Sequence, residues 1–164
     1  MNQEPFTAAI RQLVAQPTVC ARLTAPSQEI GDLFGRILGA VFHTLGAAGV
    51  APAGAPYGRY YDYGPETMDV EIGVPVAAIP PGLTAVAELP PGEVGAGLLP
   101  GVPAAVAIHV GRYQGLSAVY TGLERWMKAN GHSPTGAPWE AYIDDPGDMK
   151  DMSNVRTEVV WPVG

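Results

Sequence analysis

Charge, cysteine and long apolar runs are all scarce in this chain of 164 residues, and each scarcity removes a class of function. Only 15% of the residues are charged, and the 9 Lys and Arg against 16 Asp and Glu leave a net charge of −7. An acidic surface lacks the basic footprint that holds nucleic acid, so direct nucleic-acid binding is not expected, and cations rather than anions are drawn to it. The one cysteine, Cys20, excludes an internal disulfide framework and a thiolate metal cluster. It sits in the apolar run Val19–Leu23, where a thiol is expected as a small buried hydrophobe rather than a reactive group. No run approaches the roughly 18 apolar residues of a membrane span, and MNQEPFTAAIRQ has no basic start followed by an apolar core and cleavage site. A cytoplasmic protein without membrane association is the expectation.

What is present in quantity is apolar surface, at 47% of residues, enough for a single domain with a real core. Two short strands are expected at Ala8–Val14 and Thr18–Thr24. Pro26-Ser27 offers a helix start, with Ser27 as cap and Glu29 in the first turn. Ile30, Leu33, Phe34, Ile37, Leu38, Val41, Phe42 and Leu45 recur at intervals of three and four, one apolar face of a helix ending near Gly46 or Gly49, with His43 beside that face. Tyr57–Tyr63 and Met68–Val76 flank Gly64-Pro65 as a hairpin, and in its second strand Val70, Ile72, Val74 and Val76 alternate with polar or small residues, so one buried face is expected. Residues 77–103 read as a Pro/Gly-rich linker, broken by the short runs Thr84–Leu89 and Val94–Leu99, with one or two edge strands. Ala104–Val110 is a strand, and Gly111-Arg112-Tyr113 turns into a second helix with the stripe Leu116, Val119, Tyr120, Leu123, Trp126 and Met127, stopped by Asn130-Gly131. The last strand is Val155–Val163.

The two halves repeat each other. GAPYGRY at Gly54 matches GAPWEAY 82 residues later, and VEIGVPV matches TEVVWPV at an offset of 87. The predicted fold is α+β, two tandem strand-helix-strand-strand modules over about 8–76 and 93–163, in a largely antiparallel sheet with two helices on one face and a central ligand groove. Within the repeat, Glu140 occupies the position where the first copy has Gly58. Strand alternation puts Glu140 and Tyr142 on one face and Trp139 on the other, with Tyr60 as the first copy's equivalent of Tyr142. An acid walled by aromatic rings suits a flat lipophilic cation through charge neutralisation and cation–π attraction. A buried acid of this kind also serves as a general base. Other constellations are weak. His43, His109 and His132 share no metal-ligand spacing, so no metal is expected, and Asp144, Asp145, Asp148 and Asp151 lack the pattern of a calcium loop. No phosphate-binding loop or cofactor motif is present.

The run HVGRY from His109, then YTGLERWMKANG, GAPWEAYIDDP and TEVVWPV, together with DVEIGVPV in the first half, resembles the GyrI-like small-molecule-binding superfamily, which includes the effector-binding domains of AraC- and MerR-type regulators. The resemblance implies two tandem modules around a ligand groove. It implies Glu140 as the pocket acid, Tyr142, Tyr60 and Tyr120 as its aromatic wall, and Trp139 and Trp161 as further ligand-binding candidates, to which His43 is added from its place beside the first helix's apolar face. It also implies a ligand domain standing without a DNA-binding segment, binding bulky aromatic, cationic lipophilic compounds. The alternatives that the family holds open are a hydrolase of cyclopropanoid natural products, with Glu140 activating water and a tyrosine, Tyr142 or Tyr60, as donor, and an inhibitor of a larger protein such as DNA gyrase.

Overall fold

A computed structural model describes residues 7–144 and 151–164. The chain divides into two compact units, Val14–Gly101 and a second made of the chain up to Leu13 together with Val102–Gly164. Each carries a four-stranded antiparallel sheet and one long helix, the α+β architecture expected from the repeat.

In the unit Val14–Gly101, β2 (Gln16–Pro26), β3 (Tyr57–Tyr63), β4 (Thr67–Pro75) and β5 (Gly95–Leu99) pair in the order β3-β4-β2-β5. Helix α1 (Ile30–Ala48) covers one face because Leu33, Ile37, Val41 and Leu45 recur every four residues and pack on Val19, Ala21, Val70, Ile72 and Val74. Burying each such side chain contributes about 1.5–3 kcal/mol before chain entropy is counted. The helix stops at Gly49, whose left-handed φ of 68° is one that a β-carbon disfavours.

Two local expectations are corrected. Ser27 does not cap α1: its hydroxyl donates to the Gly64 carbonyl at 2.9 Å, and the chain enters the helix through a single 3-10 turn, Ser27–Glu29. Of the one or two edge strands expected in the linker, β5 forms. Thr84–Leu89 makes one isolated bridge, Ala85 to Ala96, and a 3-10 turn, because Pro90 closes the run before a ladder can extend. The second correction concerns β4, which is buried on both faces from Val70 to Val74. Its polar positions face Thr18, Cys20 and Tyr57 of the neighbouring strands rather than solvent.

In the second unit, β1 (Ala8–Gln12), β6 (Pro103–Val110), β7 (Trp139–Tyr142) and β8 (Arg156–Pro162) pair in the order β1-β6-β8-β7. Helix α2 (Leu116–Ala129) lays Leu116, Leu123 and Met127 on Ala105, Ala107, Val159 and Val163, with Val119, Tyr120 and Trp126 at the margin. Its C-terminal stop comes from Gly131, at φ 77°. Among the described residues no helix is long and apolar enough to cross a membrane.

Candidate functional site

Cross-strand register decides which face each candidate occupies. Glu140 lies opposite Val159 and Tyr142 opposite Thr157, and Val159 packs under α2, so Glu140 and Tyr142 face the helix. Trp139, opposite Val160, is buried on the other face, away from the acid. Tyr120 projects from α2 onto the same spot. Its hydroxyl donates to Glu140 Oε2 at 2.8 Å, and the Tyr142 hydroxyl donates to Oε1 at 2.9 Å. Rings continue outward from both phenols: Trp161 meets Tyr120 edge to face at 5.8 Å, and Tyr113 meets Tyr142 in the same way at 6.0 Å.

Glu140 is only 7% exposed, and among the described residues no Lys or Arg approaches it within ion-pair distance. Burial pushes its carboxyl above the usual range, and the Tyr120 and Tyr142 donors and the nearby His109 pull it part of the way back. His109 stands on β6, opposite Thr157, with Nε2 2.8 Å from the Arg112 carbonyl and its ring against Gly115, where an added Cβ would come within 2.6 Å. The arrangement is a buried acid with both oxygens hydrogen-bonded, one imidazole nearby and an aromatic surround.

Two residues of the expected site belong to the other unit. Tyr60 packs against the α1 core and meets Tyr63 edge to face at 6.0 Å, and His43 is exposed on α1. The unit Val14–Gly101 also holds an acid that the sequence reading missed. Glu71, 4% exposed, accepts from Tyr57 through Oε2 and from Tyr61 through Oε1, and Tyr57 also shares a hydrogen bond with Thr18. This network lies on the sheet face opposite α1, since Val70 and Ile72 on either side of Glu71 face the helix. The first copy thus lacks an acid at Gly58 but buries one elsewhere, while Glu158, the repeat equivalent of Glu71, sits in an exposed ion pair with Arg11 at 3.0 Å. Burial, followed by the negative charge of Glu71, raises the Tyr61 hydroxyl to about 12. Cys20 beside it is buried with its thiol raised to about 12, the inert state expected of it.

No group of three or more His, Cys, Asp or Glu that would hold a metal occurs among the described residues. Asp144 accepts three hydrogen bonds near 3 Å from Arg156, one from its amide and two from its guanidinium, and Asp151 caps the Ser153 amide. Asp145 and Asp148 lie outside the described residues.

No curated protein matches the chain in sequence. Among solved structures, the EcmrR C-terminal domain matches with a TM-score of 0.80 at 23% identity, over 97% of this chain and 98% of its own. In an EcmrR–DNA complex the same relation spans 96% of this chain but only 57% of the EcmrR chain. SAV2435 bound to tetraphenylphosphonium matches with a TM-score of 0.64 at 13% identity, over 96% and 94% of the two chains, and a hydrolase from Listeria innocua gives the same score and identity over 96% and 91%. At these identities the likenesses establish the fold. The model of the GyrI-like small molecule binding domain matches residues 8–164, and the chain belongs to that family.

Proposed function

We propose that the protein binds bulky aromatic, lipophilic cations, with Glu140 as the charge partner and Tyr120, Tyr142, Trp161 and Tyr113 as the surrounding rings. The observation that carries this reading is a buried carboxyl that no Lys or Arg among the described residues approaches within ion-pair distance. Such a charge is costly to keep dry, and a cation whose charge is spread over an apolar body neutralises it with little desolvation of its own. Each ring in contact adds about 0.5–2 kcal/mol through cation–π attraction. The tetraphenylphosphonium held by SAV2435 is a ligand of this chemistry.

Tetraphenylphosphonium carries a permanent charge, so only protein groups titrate when its binding is followed against pH. The Glu140 carboxyl is raised above 4.5, so it protonates earlier than an exposed glutamate as pH falls. Affinity is expected to be full at pH 8 and to drop by up to about tenfold per pH unit once the carboxyl protonates. His109 on β6, Tyr120 on α2 and Tyr142 on β7 are the groups that face the acid. Calorimetric titration across pH 4–8 checks this, and an affinity independent of pH contradicts it.

Hydrolysis is the second reading, supported by one observation: a carboxyl raised by burial is a stronger base than an exposed one. Product analysis after incubation with a cyclopropane-bearing electrophile separates the two, since a binder returns the compound unchanged.

A further inference from the structure

Thr157 is fully buried, and among the described residues its Oγ1 is the one buried side-chain oxygen or nitrogen without a hydrogen-bond partner. The next positions along the same face of β8 are Val159, Trp161 and Val163, all apolar. Valine is the same shape as threonine, so a hydroxyl here carries a desolvation penalty that an isosteric apolar residue would avoid.

Its neighbours show what the hydroxyl is placed to meet. Thr157 lies directly opposite Tyr142 on β7 and opposite His109 on β6, one step along the sheet from Glu140. On one face of an antiparallel pair the backbones of such diagonal neighbours stand about 7–8 Å apart, and their side chains rise from that face side by side. The nearby donors are already committed, Tyr120 and Tyr142 to the two Glu140 oxygens and the His109 Nε2 edge to the Arg112 carbonyl. What the site still offers is an acceptor, Thr157 Oγ1, beside an anion.

We propose that Thr157 makes the site selective for protonated amines, that is, primary, secondary or tertiary ammonium groups on an aromatic body, over fully substituted onium ions of the same size. This rests on the reading of Glu140 as a cation partner. One ammonium N–H takes the place of the Tyr142 hydroxyl on Glu140 Oε1. Where a second N–H is available it donates to Thr157 Oγ1, and a tertiary ammonium shares its single N–H between the two oxygens. Because Oγ1 is covered and Tyr142 is the side chain directly across from it, engagement is coupled to a rotation of Tyr142 away from the acid. A quaternary ammonium or a phosphonium has no N–H, leaves the Tyr142 bond in place and is held by charge and rings alone.

The matched pair dibenzylammonium and dibenzyldimethylammonium tests this by calorimetric titration of wild type, Thr157→Val, Thr157→Ser and Glu140→Gln. Wild type is expected to prefer dibenzylammonium by about tenfold, the value of one added charge-assisted hydrogen bond. Thr157→Val removes most of that preference while holding the quaternary ion within about twofold of wild type, and Thr157→Ser, which keeps the hydroxyl, retains the preference. Equal weakening of both ligands by Thr157→Val, or a preference that survives it, overturns the role of Thr157 while leaving Glu140 in place. If neither cation binds wild type, or Glu140→Gln weakens neither, the cation reading itself falls and the selectivity falls with it.

Discussion

Replacing Glu140 with glutamine is expected to lower affinity for lipophilic cations by roughly ten- to a hundredfold and, at neutral pH, to make the protein more stable. The loss of affinity follows from removing the charge while keeping the shape, since charge-assisted contacts are worth about 1.5–3 kcal/mol. The gain in stability follows from the direction of the carboxyl's shift. Its folded value is raised, so the folded chain holds the proton more tightly than the unfolded chain does. The stability linked to that proton is fully present below the unfolded value and is lost as pH rises through the folded one. Once ionised, the wild-type carboxyl bears the penalty of a buried anion, and glutamine does not. Each kcal/mol recovered raises the melting temperature by about 2–4 °C for a chain of this size. Thermal unfolding at pH 7.5 and pH 4 checks it: the variant melts higher at 7.5, and the difference shrinks at 4. A variant less stable at pH 7.5 would show that the acid is there to support the fold.

Glu71 is the opposite case, and its removal is the largest stability effect expected. Alanine at 71 leaves the Tyr61 hydroxyl without its acceptor, at about 1–3 kcal/mol, takes one of the two partners of Tyr57, which keeps Thr18, and opens a cavity beside buried Tyr57 and Cys20. A total of about 2–5 kcal/mol is expected as a lower urea midpoint with little change in slope. The contrast between two acids, each held by two tyrosines, comes from the charges around them. Arg22 interacts electrostatically with Glu71, lies 3.6 Å over the Tyr61 ring and is anchored by Asp69 at 2.9 Å, whereas among the described residues the basic group that acts on Glu140 is His109. A compensated buried charge supports the fold, and an uncompensated one is available to a ligand.

Much of this was legible in the residues themselves. The paired GAPYGRY and GAPWEAY segments announced the duplication, helical spacing marked both α1 and α2, and period-two alternation separated Glu140 and Tyr142 from Trp139. Glu71 escaped because alternation treats a polar residue between Val70 and Ile72 as facing water. Its burial depends on Tyr57 and Tyr61, which reach it only through the β3–β4 register. A usable signal was there, since Tyr57 and Tyr61 are spaced to share a strand face. Thr157 carried a similar signal, as the polar member of the series Thr157, Val159, Trp161, Val163. His109 was weighed only as a metal ligand, and its place beside Glu140 comes from the pairing of β6 with β8. Ser27 failed as a cap because Gly64, distant in sequence, supplies a better partner for its hydroxyl.

The central claim is that an uncompensated negative charge at Glu140 selects positively charged aromatic ligands. Tetraphenylphosphonium and tetraphenylborate are near copies in shape with opposite charge, so the ratio of their affinities for the wild-type protein at pH 7.5 isolates that charge without any substitution. The phosphonium is expected to bind at least about a hundredfold more tightly, reflecting attraction on one side and repulsion on the other. Equal binding, or a preference for the borate, would contradict the account.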